Sequence, residues 1–391
     1  MNDSHFISQA VSLALKGEFT TKPGVKVGCI IVKDNKVIGQ GFYENYGDCH
    51  AEINAIQDVK KRYKKNYLSK LSGSDIFITL EPCSTKGKTG ACSDELKKYD
   101  FRRIVIGAKD PTQNGFEKLQ KAGFKVKNLN DQKCLSLNEP FFHKAKLKKP
   151  FIRAKIAMSH DHKSVFITNK RKWITGTPAR KDVQFLRARA DLVITGAGTI
   201  NVDKPSMNVR LKKITSNKNF VQPDRYVFSR NLSIDWTAPF FNLPGKKVLV
   251  TAKKNLPEFK TSWSDRKDIS LMSFSSNKNY MDPVNFVQRI SRQNVNNILI
   301  EAKDVIDQAR EFDDRLETIQ SLLSNAQVQV QESIYDLTNY LSKVSGQGSN
   351  VNDLEARINM LHDLGRKHRC QIPELLHAQN SIQNKLNEFD T

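Results

Sequence analysis

No stretch of the 391-residue chain approaches the roughly 18 consecutive apolar residues of a membrane-crossing helix. Met1-Asn2-Asp3-Ser4-His5 has no basic region leading into an apolar run, so the expectation is a soluble, cytoplasmic protein without a secretory leader. Cysteine is scarce: six residues in a chain of this length do not make a disulfide framework. Tryptophan occurs three times, yet 21 Phe and a 38% hydrophobic share exclude wholesale disorder. The length accommodates two domains, with room for a third. Acidic residues are sparse before residue 303, where 54 Lys and Arg face 27 Asp and Glu for a net charge of +27. Residues 303–391 reverse the sign, with nine basic and fourteen acidic residues and a net charge of −5. The shift marks a boundary near residue 302. A basic field attracts phosphorylated small molecules or nucleic acid. Because no basic motif interleaved with aromatics accompanies it, neither a specific nucleic-acid partner nor a membrane partner is expected.

What the chain does contain is His50-Ala51-Glu52, then Pro82-Cys83, then Cys92. A His-x-Glu followed by Pro-Cys and a second Cys is the arrangement of zinc deaminases. In that chemistry three ligands hold Zn²⁺ with one position open, and the metal lowers the pKa of its water to roughly 7. A carboxylate that is not a ligand then moves protons to the leaving amine. His50, Cys83 and Cys92 are the candidate ligands and Glu52 the candidate proton shuttle. Eight residues separate the two cysteines, a longer gap than the common signature has. The alternative is a structural zinc knuckle, which more often uses four ligands in tight pairs. Cys29, Cys134 and Cys370 read as small apolar residues, as does Cys49 beside His50.

Taken in order, residues 5–16 show helical spacing up to Gly17, and two apolar runs around Asp34-Asn35 read as a hairpin. Ala51 to Tyr63 reads as a helix whose start carries His50 and Glu52. Ile76 to Leu80 is a buried strand delivering Pro82-Cys83, and Cys92 opens a short helix, where the dipole favours a thiolate. Arg103–Gly107 and Phe124–Val126 supply more strands. A second α/β segment begins near Pro150. It has a strand over Phe151–Met158, a helix from about Pro178 to Ala190, and a strand over Asp191–Thr195 that runs into the turn Gly196-Ala197-Gly198-Thr199. Such a turn lets backbone approach a phosphate. Further strands fall near Tyr226–Phe228, Val248–Val250 and Ile298–Ile300, with a helix near Val284–Ser291. From Lys303 onward the pattern is long helical periodicity broken at Gly346-Gln347-Gly348-Ser349, a helical hairpin or coiled coil without a strict heptad.

Cys49-His50-Ala51-Glu52, Thr79-Leu80-Glu81-Pro82-Cys83-Ser84 and Gly87-Lys88-Thr89 recur in the order of a known family. So do Lys155, Trp173-Ile174-Thr175, Ala179-Arg180-Lys181-Asp182-Val183-Gln184, Leu186-Arg187-Ala188, and Gly198-Thr199 through Asp203-x-Pro205 to Val209-Arg210. Residues 5–302 thereby resemble the RibD family of bifunctional riboflavin-biosynthesis deaminase–reductases. The resemblance implies an α/β chain with a cytidine-deaminase-like domain over 1–147. A truncated dihydrofolate-reductase-like domain over 148–302 and the helical segment 303–391 would follow. It implies hydrolytic deamination of diaminohydroxyphosphoribosylaminopyrimidine, then NADPH-dependent reduction of the ribosyl group of 5-amino-6-(5-phosphoribosylamino)uracil. Zn²⁺ and NADPH are the implied cofactors, with Ala157, Trp173, Thr199 and Asp203 lining the NADPH site. Arg187, Met207, Arg210 and Glu301 would meet the substrate, whose phosphate suits a bidentate guanidinium. The resemblance also implies a homo-oligomer.

Departures from the family pattern are specific. Gly24 stands where the family has an Asn that contacts the pyrimidine, a loss of roughly 1–3 kcal/mol if substrate polar groups go unpaired. Thr85 to Ala91 replaces His-His-Gly-Arg-Thr-Pro-Pro, so Lys88 takes the place of a bidentate Arg. His162 replaces the Gly of Ser-Leu-Asp-Gly. After Glu301-Ala302 the family continues with a glycine-rich turn over the NADPH phosphates, whereas this chain places Asp304 and Asp307 there. Leu354-Glu355-Ala356-Arg357-Ile358 and Arg366-Lys367-His368-Arg369 instead resemble the coiled-coil arm of the RecN family of DNA-repair ATPases, over about 305–390 and without any ATPase motif. A fusion retaining the deaminase alone, or no activity, is the alternative reading.

Overall fold

The structure, a computed structural model, describes residues 2–85, 90–157, 174–257, 266–274 and 283–301, with short helical pieces at 359–360, 362–364, 366–367, 374–376 and 379–380. Contacts divide the chain into two compact units, 1–304 and 305–391. The helical hairpin read from Lys303 onward, its break at 346–349 and the match at 354–358 lie outside the described residues. No described helix is long and apolar enough to cross a membrane.

The first sheet has the order β2-β1-β3-β4-β5. Its strands are β1 (Gly28–Lys33), β2 (Lys36–Phe42), β3 (Asp75–Ile78), β4 (Arg103–Ile106) and β5 (Val126–Asn128). β1 runs antiparallel to both β2 and β3, while β3, β4 and β5 are parallel. The hairpin expected around Asp34-Asn35 is present: both residues have positive φ, and Lys33 pairs with Lys36. This is the twist-compatible two-residue turn that Asp and Asn favour. β1 is a run of Cys, Ile, Ile and Val with both faces covered, so it lacks polar alternation. One face packs under α1 (Asp3–Ala14) through Phe6, Ile7 and Ala10, and the other under α2 (Ala51–Tyr63) through Ala55, Ile56 and Val59.

Glycine seats α2 against β2. A Cβ at Gly41 would overlap Ala51 O and Ala55 N, backbone of the helix whose N-cap is His50. Gly41→Ala is therefore expected to push the start of α2 off the sheet. The measurement is thermal melting together with zinc per chain; both should fall, with destabilisation of about 1–3 kcal/mol. A variant with unchanged melting and full zinc would show that the helix is not seated on this contact.

The second sheet has the order β10-β9-β8-β7-β11-β6, with every described pair parallel. Its strands are β6 (Phe151–Lys155), β7 (Leu192–Gly196), β8 (Asp224–Phe228), β9 (Lys247–Ala252), β10 (Ile269–Phe274) and β11 (Asn297–Glu301). The strand at Phe151 ends at Lys155, short of the expected Met158, and residues 158–173 lie outside the described set. Gly196 to Thr199 is the opening of a helix, α9 (Ala197–Asp203), rather than a free turn. α8 (Thr177–Arg189) carries Arg187 on its buried side.

Four side-chain bonds tie the segment 18–24 and Tyr46 to the end of α8 and the loop before β11. Lys22 Nζ donates to Ala190 O at 2.9 Å, Asn296 Nδ2 to Pro23 O at 2.6 Å, Arg189 Nε to Glu18 Oε1 at 2.8 Å, and Asn294 Nδ2 to Tyr46 Oη at 3.1 Å.

Candidate functional site

α2 and α4 (Cys92–Leu96) begin side by side, and the loop after β3 delivers Cys83 between them. His50 caps α2 in an extended conformation, which turns its ring toward the sulfurs. His50 Nδ1 lies 3.2 Å from Cys92 Sγ and 3.6 Å from Cys83 Sγ. The three donor atoms fall within 4.8 Å of one another. Donors held 2.0–2.3 Å from one tetrahedral zinc stand roughly 3.3–3.8 Å apart, close to the two His50 contacts, so the set fits the ion. The Cys92 backbone N–H donates to Cys83 Sγ at 3.3 Å. Hydrogen bonds from the Cys92 thiol and the His50 ring outweigh burial and hold the Cys83 thiol below its usual range, which favours the thiolate.

Glu52, the second residue of α2, is 3% exposed, and burial pushes its carboxyl up. It sits against the Cys92 thiol. Three ligating atoms and a dry carboxylate at two helix starts can activate a water and move its proton.

Tyr43, which sequence reasoning missed, packs edge-on against His50 with ring centroids 5.4 Å apart. A Cβ at Gly24 would stand 3.5 Å from the Tyr43 ring, 3.2 Å from Tyr46 and 2.9 Å from Thr21 O. Gly24 thus lies against two tyrosines, Tyr43 and Tyr46. Of the segment between the cysteines, 86–89 lies outside the described residues.

In the second sheet β11, β6 and β7 end together: Glu301 pairs with Lys155, and Ile300 with Ile194. Ligands of parallel sheets bind along this carboxyl edge. Arg187 forks onto Glu301, Nε to Oε1 at 2.5 Å and Nη2 to Oε2 at 2.8 Å, while Nη1 donates to Asn208 O at 3.2 Å. Lys155 Nζ lies 3.6 Å from the same carboxylate. Met207, buried with φ +55°, lies 3.9 Å from Arg187 Nη2 through its sulfur. Arg210 donates from Nη1 to Asn208 Oδ1 at 3.0 Å, and Gln184 Oε1 accepts its backbone N–H at 2.7 Å. Arg187, Met207, Arg210 and Glu301 are therefore one cluster, knitted by Asn208, which sequence reasoning did not single out.

Thr199 and Asp203 lie on α9, and Ala157 follows β6; Trp173 and His162 lie outside the described residues. Gly196 and Gly198 face open space, and the buried Thr195 hydroxyl has no partner among the described residues. An uncrowded strand end with an unmatched hydroxyl fits a dinucleotide phosphate. Arg225, fully buried, fixes the neighbouring loops by donating to the carbonyls of Ser206, Phe240, Leu243 and Pro244 at 2.8–3.0 Å.

Two families match in succession. The cytidine and deoxycytidylate deaminase zinc-binding region covers residues 1–108, and the RibD C-terminal domain covers 150–303. The riboflavin biosynthesis protein RibD of Buchnera aphidicola (subsp. Baizongia pistaciae) is 33% identical over 316 residues, spanning 77% of this chain and 81% of that protein. The chain belongs to the RibD family. Escherichia coli RibD is 29% identical over 314 residues, 77% of this chain and 82% of that one. The solved RibD of Acinetobacter baumannii superposes with a TM-score of 0.66 at 29% identity, covering 78% of this chain and 83% of its own. RibD membership makes the chain an enzyme of riboflavin biosynthesis that works by deamination and reduction, with zinc and NADPH as cofactors. The Thermotoga maritima structure, a diaminohydroxyphosphoribosylaminopyrimidine deaminase/5-amino-6-(5-phosphoribosylamino)uracil reductase, superposes at TM-score 0.65 and 26% identity, over 76% of this chain and 80% of that one. The family match ends at residue 303, where the charge of the sequence changes sign.

Proposed function

We propose that residues 1–147 deaminate the phosphoribosylated diaminopyrimidinone and that residues 148–302 then reduce the ribosyl group of its product. The observation that carries this reading is the convergence of His50, Cys83 and Cys92 beside the buried Glu52. His50, Cys83 and Cys92 would hold the zinc, which supplies an acidified water and charge stabilisation when bound. Glu52 accepts a proton from the attacking water and returns it to the departing amine, leaving ammonia and a ring carbonyl. Burial keeps bulk water from competing for that proton. Tyr43 and Tyr46 flank the pyrimidine in the place of the family's Asn.

In the second half Arg210 takes the substrate phosphate: only one of its guanidinium donors has a partner among the described residues. Arg187 orients Glu301, and Lys155 approaches the same carboxylate. Thr195, Thr199 and Asp203, with Ala157, line the NADPH side, where the cofactor supplies a hydride; Trp173 belongs with them by family resemblance alone.

Support for a RecN-like helical arm over 305–390 is its sequence match alone. A cytoplasmic homo-oligomer completes the reading by kinship to the family. The test is an assay of ammonia release from the diaminopyrimidinone, run with and without NADPH oxidation. Ammonia with no NADPH consumption assigns the chain to deamination alone. Neither signal from zinc-loaded protein refutes both halves.

A further inference from the structure

A cavity of about 560 Å³ opens between α1, the corner joining α6 (Gln132–Leu137) to α7 (Glu139–Leu147), and the amino ends of β7 and β11. None of the zinc ligands lines it, nor does Glu52, Arg210 or Glu301. It reaches Asn297 at one end of β11 while Glu301 stands at the other, so roughly 13 Å of strand separates it from the reductase cluster. The cavity shares Gly24 with the deaminase half and no residue with the zinc ligands or the reductase cluster.

Its charge is unbalanced. Five cationic side chains line it against three carboxylates. Two of the carboxylates are already engaged: Glu18 accepts from Arg189 at 2.8 Å, and Asp191 accepts the Asn296 and Asn297 backbone N–H groups at 2.8 and 2.9 Å. The third, Glu139, is exposed at the start of α7. Among the cations, Lys22 donates to Ala190 O, and Lys133 reaches only the Ser8 hydroxyl at 3.5 Å. Lys26 Nζ and the Arg153 guanidinium have no hydrogen-bond or ion-pair partner among the described residues. Arg153 rests over the Phe151 ring at 5.2 Å. Both are half-buried. Glu18, already bonded to Arg189, acts on Lys26 only through space, and cations kept in a partly dry cleft without a bonded partner cost free energy that an anion would recover. The opposite wall is apolar, with Leu15, Leu137 and Phe141. An anion alone would leave that wall uncovered.

We propose that this cavity binds a phosphorylated small molecule of nucleotide size, its phosphate on Lys26 and Arg153 and its organic body against Leu15 and Phe141. A charged, partly apolar pocket of this volume is in the range of small-ligand sites, and a fork-shaped guanidinium and an ammonium lining one cavity suit a phosphate.

The test is isothermal titration of adenosine 5′-monophosphate, with inorganic phosphate as the second probe, into the zinc-loaded full chain. Three proteins are compared: wild type, the Lys26→Ala/Arg153→Ala double variant and Arg210→Ala. The expected result is one nucleotide per chain in wild type and in Arg210→Ala, and at least tenfold weaker binding in the double variant. Inorganic phosphate should compete, more weakly than the nucleotide. Should the double variant melt early, Lys26→Gln and Arg153→Gln singly carry the same comparison. No measurable binding of either probe overturns the proposal, as does a nucleotide affinity that the Lys26 and Arg153 substitutions leave unchanged. Phosphate binding as tightly as the nucleotide removes the nucleotide-sized body from it.

Discussion

Glu52→Gln should abolish ammonia release while leaving one zinc per chain. Glutamine keeps the size and the hydrogen bonds of the side chain but cannot carry a proton. General acid–base groups contribute on the order of 10²–10⁴ in rate, so turnover should drop by about that factor. The metal should stay, because the donors proposed for it are His50, Cys83 and Cys92, drawn from the start of α2, the loop after β3 and the start of α4. Two measurements on one preparation decide the matter: zinc by mass spectrometry and ammonia by a coupled assay. Residual activity within tenfold of wild type would remove Glu52 from proton transfer. Zinc lost together with activity would make it a structural support of the ligand set, which its contact with the Cys92 thiol allows as an outcome.

The deaminase half was legible because its chemistry is local in sequence. A His-x-Glu at a helix start and a Cys opening the next helix are set by capping and periodicity, and both helices begin where the pattern put them. The hairpin at Asp34-Asn35 is equally local. Tyr43 was not legible: its approach to His50 depends on how the loop 43–50 closes, and no spacing rule encodes that. The second sheet shows the same division. β7, β8, β9 and β11 are apolar runs and were found. β10, Ile-Ser-Leu-Met-Ser-Phe, is an edge strand paired only with β9, and its serines break both the run and the alternation. Gly196-Ala197-Gly198-Thr199 reads as a turn in the sequence because helix propensity counts two glycines against it; tertiary context makes it the start of α9. The Arg187–Glu301 fork joins residues 114 apart in sequence, so it is a product of the fold alone. Each residue was singled out through family resemblance, but their pairing was not.

That fork sets the second large expectation: Glu301→Gln should destabilise the second sheet by roughly 3–5 kcal/mol and stop NADPH oxidation, with zinc content and ammonia release retained. Arg187 and Glu301 side chains are 9% and 7% exposed, so removing one charge strands the other in a dry setting. Burial by itself would raise the Glu301 carboxyl; the Arg187 fork, assisted by Lys155, outweighs it and holds the group below its usual range. The sign of the pH dependence follows. A carboxyl whose folded pKa is depressed adds stability above its unfolded pKa, and that stability is lost as pH falls through the folded value. Wild type should therefore lose reductase-half stability on acidification into that low range, and Glu301→Gln should lack this component. Chemical denaturation followed by limited proteolysis of the second half reads both effects. The variant Arg187→Met/Glu301→Leu separates stability from chemistry. Replacing both buried charges with apolar groups of similar size should restore most of the stability. If the pair also organises the substrate end of the sheet, NADPH oxidation stays absent in that stable double variant. Recovery of oxidation with stability would show that Arg187 and Glu301 only hold the fold, leaving Arg210 and Lys155 to meet the substrate.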